Sequence, residues 1–327
     1  MQKLKKNGIF KAASLELKRY CFRMKPTVLV VGSTNTDMIA NVPHIPTPGE
    51  TVLGDHLQIL PGGKGANQAV AASRLGINVN FISALGDDSF GKESLANLKN
   101  ENINTDYIVV KENISSGSAL IFVDNKGENC IAVIPGANGL LSPEDIYANK
   151  KAFQESSIVI IQLEIPQDAV LAAAKTAKEN GCKVILNPAP IPEHFDLTQF
   201  CGYVDILTPN EGELLRLAGN AKSIDEAAKT ILSMGIKTLV VTLGSKGVIA
   251  FTDDGGKLEI PAIKVSPKDT VGAGDCFNGA LAAALAEGKD LEDALNFAVA
   301  AAGISTQKQG AQCGMPTRKE IDSHLMR

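Results

Sequence analysis

The feature that most constrains the fold is a regular alternation of short apolar runs with helix-like stretches in the second half of the chain. Ile158–Gln162 and Thr238–Thr242 are apolar runs of the length of buried strands, and Asp168–Glu179 has the periodicity of a helix. Strands that alternate with helices predict a parallel sheet that is covered by helices on both faces. Thr27–Val31, which Gly32 ends, predicts a further buried strand of that sheet.

The other elements of this domain follow from the same rules of periodicity and punctuation. The predicted strands are Val79–Ala84, Lys183–Leu186, Val204–Leu207 and Ile260–Val265. The predicted helices are Asn67–Leu75, Phe90–Asn100, Asn210–Leu217, Ile224–Met234 and Cys276–Glu287. Together they predict one α/β domain over residues 27–327.

Two segments, at about residues 38–60 and 116–135, do not fit this rhythm. Ser118–Val123 and Cys130–Pro135 read as strands, and the turn-forming Asp124–Glu128 between them predicts a hairpin. We interpret both segments as insertions that build one small β-sheet standing off the main domain. Such an element often covers an active site as a lid.

Composition and charge exclude several classes of protein. The chain has 327 residues and a net charge of −4, which gives no general attraction to nucleic acid or to an anionic membrane. No apolar run approaches the ~20 residues that a membrane-spanning helix needs. The six cysteines are widely spaced without a C-x-x-C pair, so they predict reduced, buried thiols in a cytosolic protein rather than a zinc site.

Residues 1–26 form a basic segment before the first predicted strand. No apolar stretch of about 7–15 residues follows the charges, which argues against a secretory signal. An organelle transit peptide remains an alternative interpretation, although the segment is short and contains Glu16. We favour a poorly ordered extension, or an upstream start with Met24 as the natural first residue.

Asp269–Asp275 (DTVGAGD) is the strongest functional signal. It follows the predicted strand Ile260–Val265 and opens the alanine-rich helix Cys276–Glu287. Two glycines before a helix let the backbone curl so that several N–H groups point to one spot, where the positive end of the helix dipole also lies. Such an anion hole stabilises the charge of a phosphoryl group during its transfer.

Asp275 lies at the edge of this predicted anion hole. A carboxylate there can accept the proton of an attacking hydroxyl, and phosphoryl transfer needs no stronger base because it depends mainly on positioning and electrostatics. The alternative is that Asp275 is only the N-cap of the helix. The segment alone does not decide between the two.

Two more glycine-rich segments favour the catalytic interpretation. Gly62–Gln68 (GGKGANQ) precedes an alanine-rich helix, and its glycines let the backbone approach a ligand while Lys64 and Asn67 offer polar groups to hydroxyls. It lacks the glycine spacing and the Ser or Thr of a P-loop. Thr242–Gly247 (TLGSKG) ends an apolar strand, which is the ligand-binding edge of an open α/β sheet. No strand leads into G-x-G-x-x-G, so a dinucleotide site is not predicted.

Polar side chains follow several of the other predicted strands. Asn35 and Asp37 come after the first strand, and Glu164 and Asn210 each follow a later one. Each alone is more often a turn or cap residue. Their shared location at strand ends is what predicts that they belong to one site.

From about Thr27 to the C-terminus, the chain resembles the ribokinase-like carbohydrate kinase family. Asp269–Asn278 (DTVGAGDCFN) is highly specific to this family, and the Gly62–Gln68 loop with its helix is the second signature region. The form GGKGANQA points to the ribose kinases within the family. Further matches are Asn35–Asp37 (NTD), Pro46–Thr51 (PTPGET) and Gly310–Gln312 (GAQ). The resemblance implies an α/β fold, a ribokinase-like three-layer sandwich with a central, mostly parallel sheet and a small β-sheet lid.

The resemblance also implies a reaction, the ATP-dependent phosphorylation of D-ribose at O5 to give D-ribose 5-phosphate and ADP. Asp275 would be the base, and the anion hole would be formed by Gly272, Ala273 and Gly274. The residues implied to hold the sugar are Asn35, Asp37, Gly63, Lys64, Gly65, Asn67, Glu164 and Asp275. The residues implied to bind ATP are Asn210, Thr242, Leu243, Gly244, Ser245, Lys246, Gly247 and Gly274.

Two cations are implied in the same way. Mg²⁺ would accompany ATP, and Glu213 matches the family's N-x-x-E pattern that is associated with magnesium and phosphate. An activating monovalent cation, usually K⁺, would be held mostly by backbone carbonyls. Its implied ligands are Asp269, Val271, Ser305, Lys308, Gly310 and Gly314. Gly314 departs from the Ser often found there, which would remove one side-chain ligand.

Alternatives to the implied function remain. Within the same chemistry, the substrate could be 2-deoxyribose, fructose or a nucleoside. A different class is a non-catalytic sugar sensor, which a loss of Asp275 or of the glycines would favour, and neither has been lost. The expected partners are ATP and a pentose, without nucleic acid or membrane, in a cytoplasmic protein. Family members often dimerise through the lid sheet, whose edge strands invite pairing, so a homodimer is expected.

Overall fold

A computed structural model describes residues 26–219 and 221–326. In chain order the strands are β1 (Thr27–Val31), β2 (Asn35–Asn41), β3 (His56–Gly62), β4 (Asn78–Gly86), β5 (Ile108–Lys111), β6 (Gly117–Val123), β7 (Asn129–Ile134), β8 (Ile158–Gln162), β9 (Lys183–Asn187), β10 (Ile206–Leu207), β11 (Thr238–Thr242), β12 (Val248–Thr252) and β13 (Lys257–Ile260). The helices are α1 (Lys64–Arg74), α2 (Ser89–Asn100), α3 (Pro143–Ala148), α4 (Lys150–Gln154), α5 (Gln167–Glu179), α6 (Glu211–Leu217), α7 (Ile224–Ser233), α8 (Ala273–Ala286), α9 (Leu291–Ser305), α10 (Ala311–Gly314) and α11 (Arg318–Leu325).

The large sheet has the strand order β13-β12-β11-β10-β9-β8-β1-β4-β5. The pairs from β11 to β5 are parallel, and β12 and β13 add an antiparallel edge. Because the parallel strands run the same way, their carboxyl ends meet at one edge of the sheet, where ligands bind in open α/β folds. The predicted central, mostly parallel sheet is confirmed.

The sheet is buried on both faces, as the composition of β1 shows. Val28 and Val30 pack into the core on one face, and Leu29 and Val31 into the core on the other. Successive side chains of a strand point to opposite faces, so a strand that is apolar throughout needs a helical layer on each side. The first core contains residues of α1, α8 and α9, and the second contains residues of α5 and α7, which completes the predicted three-layer sandwich.

The close packing of α1 against α8 positions the functional segments. Gly279 of α8 lies so near α1 that a Cβ at this position would come within 2.6 Å of the backbone oxygen of Gln68 and of the Ala71 side chain. Glycine therefore allows the two helices to approach closely. This approach brings the N-terminal turn of α1 next to the N-terminal turn of α8.

The second sheet has the strand order β3-β2-β6-β7. β2 pairs with β3 in antiparallel fashion and with β6 in parallel fashion, and β6 and β7 form the predicted hairpin. β2 begins at Asn35, shortly after β1 ends at Val31, so the chain passes directly from the large sheet into the small one. Several large apolar side chains of this sheet are exposed, namely Leu57, Ile59, Leu120, Ile131, Val133 and Ile134.

Two predicted strands differ from the structure. The strand predicted at Ile260–Val265 is wrong beyond Ile260, because β12 starts at Val248, which pairs with Ile260 and leaves the following residues without a ladder partner. The strand predicted at Val204–Leu207 is reduced to Ile206–Leu207. The N–H of Val204 donates to the carbonyl of Phe200, so this residue belongs to the preceding turn.

The thiols only partly match the prediction. Cys182, Cys201 and Cys276 are buried and free, whereas Cys130 and Cys313 are free but exposed, which corrects the expectation of buried thiols. Cys130 lies on β7, whose residues are all exposed, and Cys313 lies in the short α10.

The extension predicted at residues 1–26 falls, apart from Pro26, outside the described residues, and so does Cys21. Within the described ranges, no helix is both long enough and apolar enough to cross a membrane.

Candidate active site

Asp275 lies in the first turn of α8, which begins at Ala273, and its side chain is buried. The N-cap is Gly272, in a left-handed conformation with φ of 75°, so the alternative that Asp275 is the N-cap is wrong. The predicted start of the helix at Cys276 is three residues late for the same reason. The carboxylate is therefore free from capping and points toward α1.

Two amides of α1 donate to this carboxylate. Asn67 Nδ2 lies 2.9 Å from Asp275 Oδ2, and Gln68 Nε2 lies 3.0 Å from Asp275 Oδ1. Asn67 Oδ1 in turn accepts from Gln312 Nε2 at 3.2 Å. Asp275 is thus fixed in position by neutral donors.

Gly272, Ala273 and Gly274, the predicted anion hole, occupy the start of α8. A Cβ at Gly272 would come within 2.8 Å of the Ala311 side chain, and no described atom lies within 4 Å of the corresponding position at Gly274. The N–H of Ala273 donates to the carbonyl of Thr270 at 3.2 Å. The first turn of a helix leaves N–H groups without partners in the helix, and the positive end of the helix dipole lies at the same place.

The glycines around Lys64 allow the backbone of the loop to lie directly on β1 and β2. Gly63 has φ of 88°, and a Cβ there would come within 2.7 Å of the backbone nitrogen of Asn35. A Cβ at Gly65 would come within 2.6 Å of the backbone of Gly32 and Ser33. Only glycine fits these approaches, which hold the predicted sugar loop against the strand ends.

Glu164 and Asn35 are held by the protein. Glu164 Oε2 accepts from Ser33 Oγ at 2.5 Å and from the N–H of Lys64 at 3.0 Å. Asn35 Oδ1 accepts from Asn138 Nδ2 at 2.8 Å. These contacts fix the direction of both side chains at the sugar end of the site.

Asp37 has an unusual environment. Burial, together with the charges of Glu164 and Asp275, raises the pKa of its carboxyl from 3.8 to about 6, although Lys64 opposes the rise. The Asp37 carboxylate packs against the backbone of Gly62 in the sugar loop, since a Cβ at Gly62 would come within 2.2 Å of its Oδ2. A carboxylate that is costly to ionise in the empty site is suited to accept hydroxyl hydrogens from a ligand.

Lys64 is the cation among these carboxylates. Burial lowers the pKa of its ammonium group, but four neighbouring carboxylates outweigh burial and raise that pKa above its ordinary value. In decreasing order of effect they are Asp275, Glu164, Glu213 and Asp37. Lys64 therefore stays charged and reduces the mutual repulsion of this acidic cluster.

A cavity of about 130 Å³ opens beside Asp275 at the carboxyl edge of the large sheet. Its lining residues are Lys64, Asn187, Ala189, Thr208, Asn210, Glu213, Thr242, Gly272, Gly274, Asp275 and Asn278. Lys64, Asp275 and the anion-hole glycines form one end, and Asn210, Glu213 and Thr242 line the same cavity. The structure thus brings sugar-side and ATP-side predicted residues around one space.

The remaining residues predicted to bind ATP lie in the turn after β11. Gly244–Lys246 forms a 3₁₀ turn, which the N–H of Leu243 closes by donating to the carbonyl of Gly247 at 2.8 Å. Gly247 has φ of 97°, and a Cβ there would come within 2.0 Å of the carbonyl oxygen of Ile260. Gly244, Ser245 and Lys246 are exposed and do not line the cavity, which Thr242 alone of this segment reaches.

Asn210 and Glu213 form a capping box at the start of α6. Asn210 Oδ1 accepts from the N–H of Glu213, and Glu213 Oε2 accepts from the N–H of Asn210, both at 2.8 Å. Burial raises the pKa of Glu213, although the bond from Asn210 and the charge of Lys64 oppose the rise. The Glu213 carboxylate lines the cavity and fits Mg²⁺, which prefers oxygen ligands.

The residues predicted to hold a monovalent cation come from two loops that Asp269 joins. Its Oδ1 accepts from the N–H of Val271 at 2.9 Å, and its Oδ2 accepts from the N–H of Gly310 at 2.8 Å. Lys308 Nζ donates to Glu320, so only the backbone of Lys308 can face this region. In the described ranges, no three His, Cys, Asp or Glu side chains are grouped to hold a metal ion.

Gly314 also lies in this region. A Cβ at this position would come within 2.7 Å of the Ser305 carbonyl oxygen, so the glycine lets α10 approach the C-terminal end of α9. The Oγ of Ser305 donates to the carbonyl of Ala302 at 2.7 Å, which leaves its carbonyl as the group that faces Gly314. A set of neutral carbonyl oxygens with one carboxylate nearby fits a cation of low charge.

Several buried polar residues around the site were missed by the sequence reasoning. They are Gln68, Asn138, Asn187, Thr208, Asn278 and Gln312. Thr208 Oγ1 donates to Asn278 Oδ1 at 2.6 Å, and Asn278 Nδ2 donates to the carbonyl of Gly274. These two side chains therefore hold the backbone of Gly274 in position. Gln68, Asn278 and Gln312 lie inside the sequence motifs quoted above, so those motifs were the signal from which these three residues could have been predicted.

Comparisons with known proteins agree with this geometry. Residues 25–318 match the model of the pfkB family carbohydrate kinases. The chain is 42% identical over 302 residues to a ribokinase of Haemophilus influenzae, covering 91% of this chain and 97% of that protein. It is 36% identical over 302 residues to a deoxyribokinase of Salmonella typhimurium, covering 91% and 98%.

Among solved structures, the fold is similar to that of Arabidopsis thaliana ribokinase complexed with ribose and ATP. The TM-score is 0.85 at 34% identity, and the match covers 93% of this chain and 100% of that chain. The fold and the site define a carbohydrate kinase with a three-layer α/β sandwich. The chain belongs to the pfkB family of carbohydrate kinases, and within that family its relatives include ribokinases.

Proposed function

We propose that this protein transfers the γ-phosphoryl group of ATP to O5 of D-ribose. The observation that carries the proposal is the position of Asp275, a buried carboxylate in the first turn of α8 that lines the cavity and accepts hydrogen bonds from Asn67 and Gln68. A base at this position lies next to the group that stabilises the phosphoryl charge.

The reaction needs one proton transfer and one displacement. As the sugar oxygen forms its bond to the γ-phosphorus, its proton passes to an oxygen of Asp275, and the bond between the γ-phosphorus and the bridging oxygen of ADP breaks. Asn67 and Gln68 hold the carboxylate for this step. The N–H groups of Gly272 and Gly274 stabilise the charge on the phosphoryl oxygens, whereas that of Ala273 donates to the carbonyl of Thr270.

The sugar end supplies acceptors for several hydroxyls. Asp37 and Glu164 offer carboxylate oxygens, Lys64 interacts with the charges of both and of Asp275, and Asn67 donates to Asp275. A pentose with several hydroxyls would satisfy these buried groups, whereas a sugar that lacks one would leave an acceptor unpaired. This argument favours ribose over 2-deoxyribose.

Two cations complete the proposal. Glu213 would hold Mg²⁺ that arrives with ATP, and the cation would neutralise phosphate charge. The carbonyls of Val271, Ser305, Lys308, Gly310 and Gly314, with Asp269, would hold K⁺. Since Asp269 bonds Val271 and Gly310, a cation between these loops would stabilise the segment that leads into the anion hole.

A second candidate is the phosphorylation of 2-deoxyribose. The observation that favours it is the similarity to a deoxyribokinase, which covers the same 91% of the chain as the ribokinase match at 36% rather than 42% identity. A coupled assay of ADP release with ATP, Mg²⁺ and K⁺ decides between them. We expect the highest kcat/KM with D-ribose among ribose, 2-deoxyribose, fructose and a nucleoside. Preference for 2-deoxyribose would replace the substrate, and turnover of none would favour a sugar sensor.

We propose further that two copies associate through the small sheet. The exposed fractions of Leu57 and Ile59 on β3 are 59% and 51%, and Leu120 of β6 and Ile134 of β7 add exposed apolar surface. The register places all four on one face of the sheet, because Met38 pairs with both Ile59 and Leu120, and Ser118, two residues before Leu120, pairs with Ile134. A contiguous apolar surface of this kind favours association, and a second small sheet offers a matching one.

A further inference from the structure

The side chain of Gln68 has no role in the reaction described above except its bond to the base. It is fully buried, and its Nε2 donates to two acceptors, Asp275 Oδ1 at 3.0 Å and Asn187 Oδ1 at 3.1 Å. An amide nitrogen carries two hydrogens, so both are used. The question is what keeps this amide turned with its nitrogen toward Asp275.

The direction of the amide is fixed by a chain of neighbours. The carbonyl of Thr208 can only accept, so Asn187 must turn its Nδ2 to it, at 3.1 Å, and present Oδ1 to Gln68. Gln68 must then turn Nε2 toward Asn187 and Asp275, which leaves its Oε1 on the opposite side. That Oε1 accepts from Gln162 Nε2 at 2.7 Å. The backbone carbonyl of Thr208 therefore determines the orientation of the Asn187 amide, which determines that of Gln68 and, in turn, that of Gln162.

Gln162 is the last member of the chain, and its orientation has a cost. It ends β8 and is fully buried, and its Oε1 has no hydrogen-bond partner among the described residues. The oxygen lies against Gly32, where a Cβ would come within 1.9 Å of it. A buried acceptor without a partner is unfavourable, and an apolar side chain in the core would avoid it. The fold retains a polar chain that stability alone does not explain.

We propose that Gln162 and Gln68 form an amide relay that positions Asp275 for proton transfer. Gln162 fixes the amide of Gln68, and Gln68 holds Oδ1 of the base while Asn67 holds Oδ2, so that the carboxylate keeps one orientation toward the cavity. Both glutamines are positioning residues, and Gln162 acts on the base only through Gln68. This inference rests on the proposed role of Asp275 as the base.

The relay makes a specific prediction for Gln162→Met, a replacement of similar length. The variant removes the unpartnered Oε1 of Gln162 and leaves Oε1 of Gln68 without its donor, so the number of unpartnered amide oxygens in the chain stays the same. The melting temperature should therefore change little. Because the Gln68 amide then loses the bond that holds its Oε1, its Nε2 is held less firmly against Asp275. We therefore expect kcat to fall about tenfold while KM for sugar and ATP changes less than about threefold.

A double-mutant comparison tests whether the two residues act as one unit. Gln68→Met should lower kcat at least as much as Gln162→Met, and adding Gln162→Met to Gln68→Met should lower it no further. The matched control is Asn80→Leu, which removes a buried amide bond to Asn104 in the same sheet, away from Asp275. This control should lower the melting temperature and leave kcat within about twofold of the parent.

The outcomes separate the relay from a structural role. A kcat for Gln162→Met within about twofold of the parent would overturn the proposal, and so would a loss that persists undiminished in the Gln68→Met background. A loss of kcat in Asn80→Leu equal to that in Gln162→Met would also overturn it. If the parent protein phosphorylated another sugar instead of ribose, the proposed substrate would fail, and the same ratios on that sugar would still test the relay.

Discussion

Asn67 Nδ2 lies 2.9 Å from Oδ2 of Asp275, although 208 positions separate the two residues in the chain. The close approach of α1 and α8 at Gly279 makes this contact. Asn67→Asp would place a second carboxylate against the base and replace the donor by an acceptor. We expect kcat to fall about 100-fold in steady-state assays. Asn296→Asp, at an exposed amide of α9, is the matched control and should leave kcat unchanged.

The Asp37 carboxyl predicts how stability depends on pH. Its pKa is about 6 in the folded protein and 3.8 ordinarily, so the folded state binds the proton more tightly. The free energy of unfolding of the sugar-free protein should therefore fall as pH rises through this window, and the cost of ionising Asp37 is fully present above about pH 6. Asp37→Asn removes that cost but also removes an acceptor for the sugar.

Urea denaturation of the sugar-free protein measures this effect. At about pH 7.5, Asp37→Asn should be more stable than the parent by about 2 kcal/mol, and the difference should shrink toward about pH 5. The variant should also show a higher KM for the sugar. A variant that is less stable than the parent at the higher pH would contradict the account of this carboxyl.

Gly272 predicts that the start of α8 is sensitive to a single methyl group. Gly272→Ala adds a Cβ within 2.8 Å of the Ala311 side chain to a residue with φ of 75°. Gly288→Ala is the matched control. Gly288 has φ of 86° and no described atom lies within 4 Å of the added Cβ, so this variant has the strain of a positive φ without a steric clash. Both variants should lose about 1–2 kcal/mol of stability, and only Gly272→Ala should also lose kcat, by about tenfold or more. Equal kcat values for the two would argue against the anion hole.

Asp269 predicts how the enzyme responds to monovalent cations. Asp269→Ala removes the carboxylate that bonds both Val271 and Gly310, so the two loops should separate. We expect the parent to be activated when K⁺ replaces choline at constant ionic strength, and the variant to lose that response. Activity of the parent that is the same in both salts would count against a cation site.

The small sheet predicts the oligomeric state. Ile59→Lys, on β3, should convert a dimer into a monomer, because it places a charge on the proposed contact surface. Val110→Lys is the matched control, since Val110 is exposed to nearly the same extent, 54% against 51% for Ile59, but lies on β5 of the large sheet. Light scattering over a range of concentrations measures both. A parent protein that is monomeric throughout would remove this proposal.

The sequence predicted those parts of the fold that depend on local patterns. The apolar runs of β1, β8 and β11 and the alanine-rich helices specify buried strands and close helices, whatever their partners are. The strand predicted at Ile260–Val265 failed because its end depends on where β12 begins, which is a matter of pairing between strands. The N-cap alternative for Asp275 likewise depended on a left-handed Gly272 that the segment permits but does not require.

The candidate site was predicted to a similar extent. Asp37 and Glu164 were predicted as site residues because they follow predicted strands, and Asp37 also lies in the motif Asn35–Asp37. Gln162 and Asn187 were not, because their hydrogen bonds cross between α1 and two strands, and a single polar residue at the end of an apolar run has no distinctive pattern. Only the packing of α1 on the sheet shows that both residues contact Gln68 and, through it, act on the base.

The most direct test of the central claim is the activity of Asp275→Asn with D-ribose and ATP, measured together with ribose binding by calorimetry. The account predicts that kcat falls by about 1,000-fold or more while the Kd for ribose stays within about fivefold of the parent, because the amide keeps the shape of the carboxylate but cannot accept the proton. A variant that keeps most of its activity would contradict the assignment of Asp275 as the base.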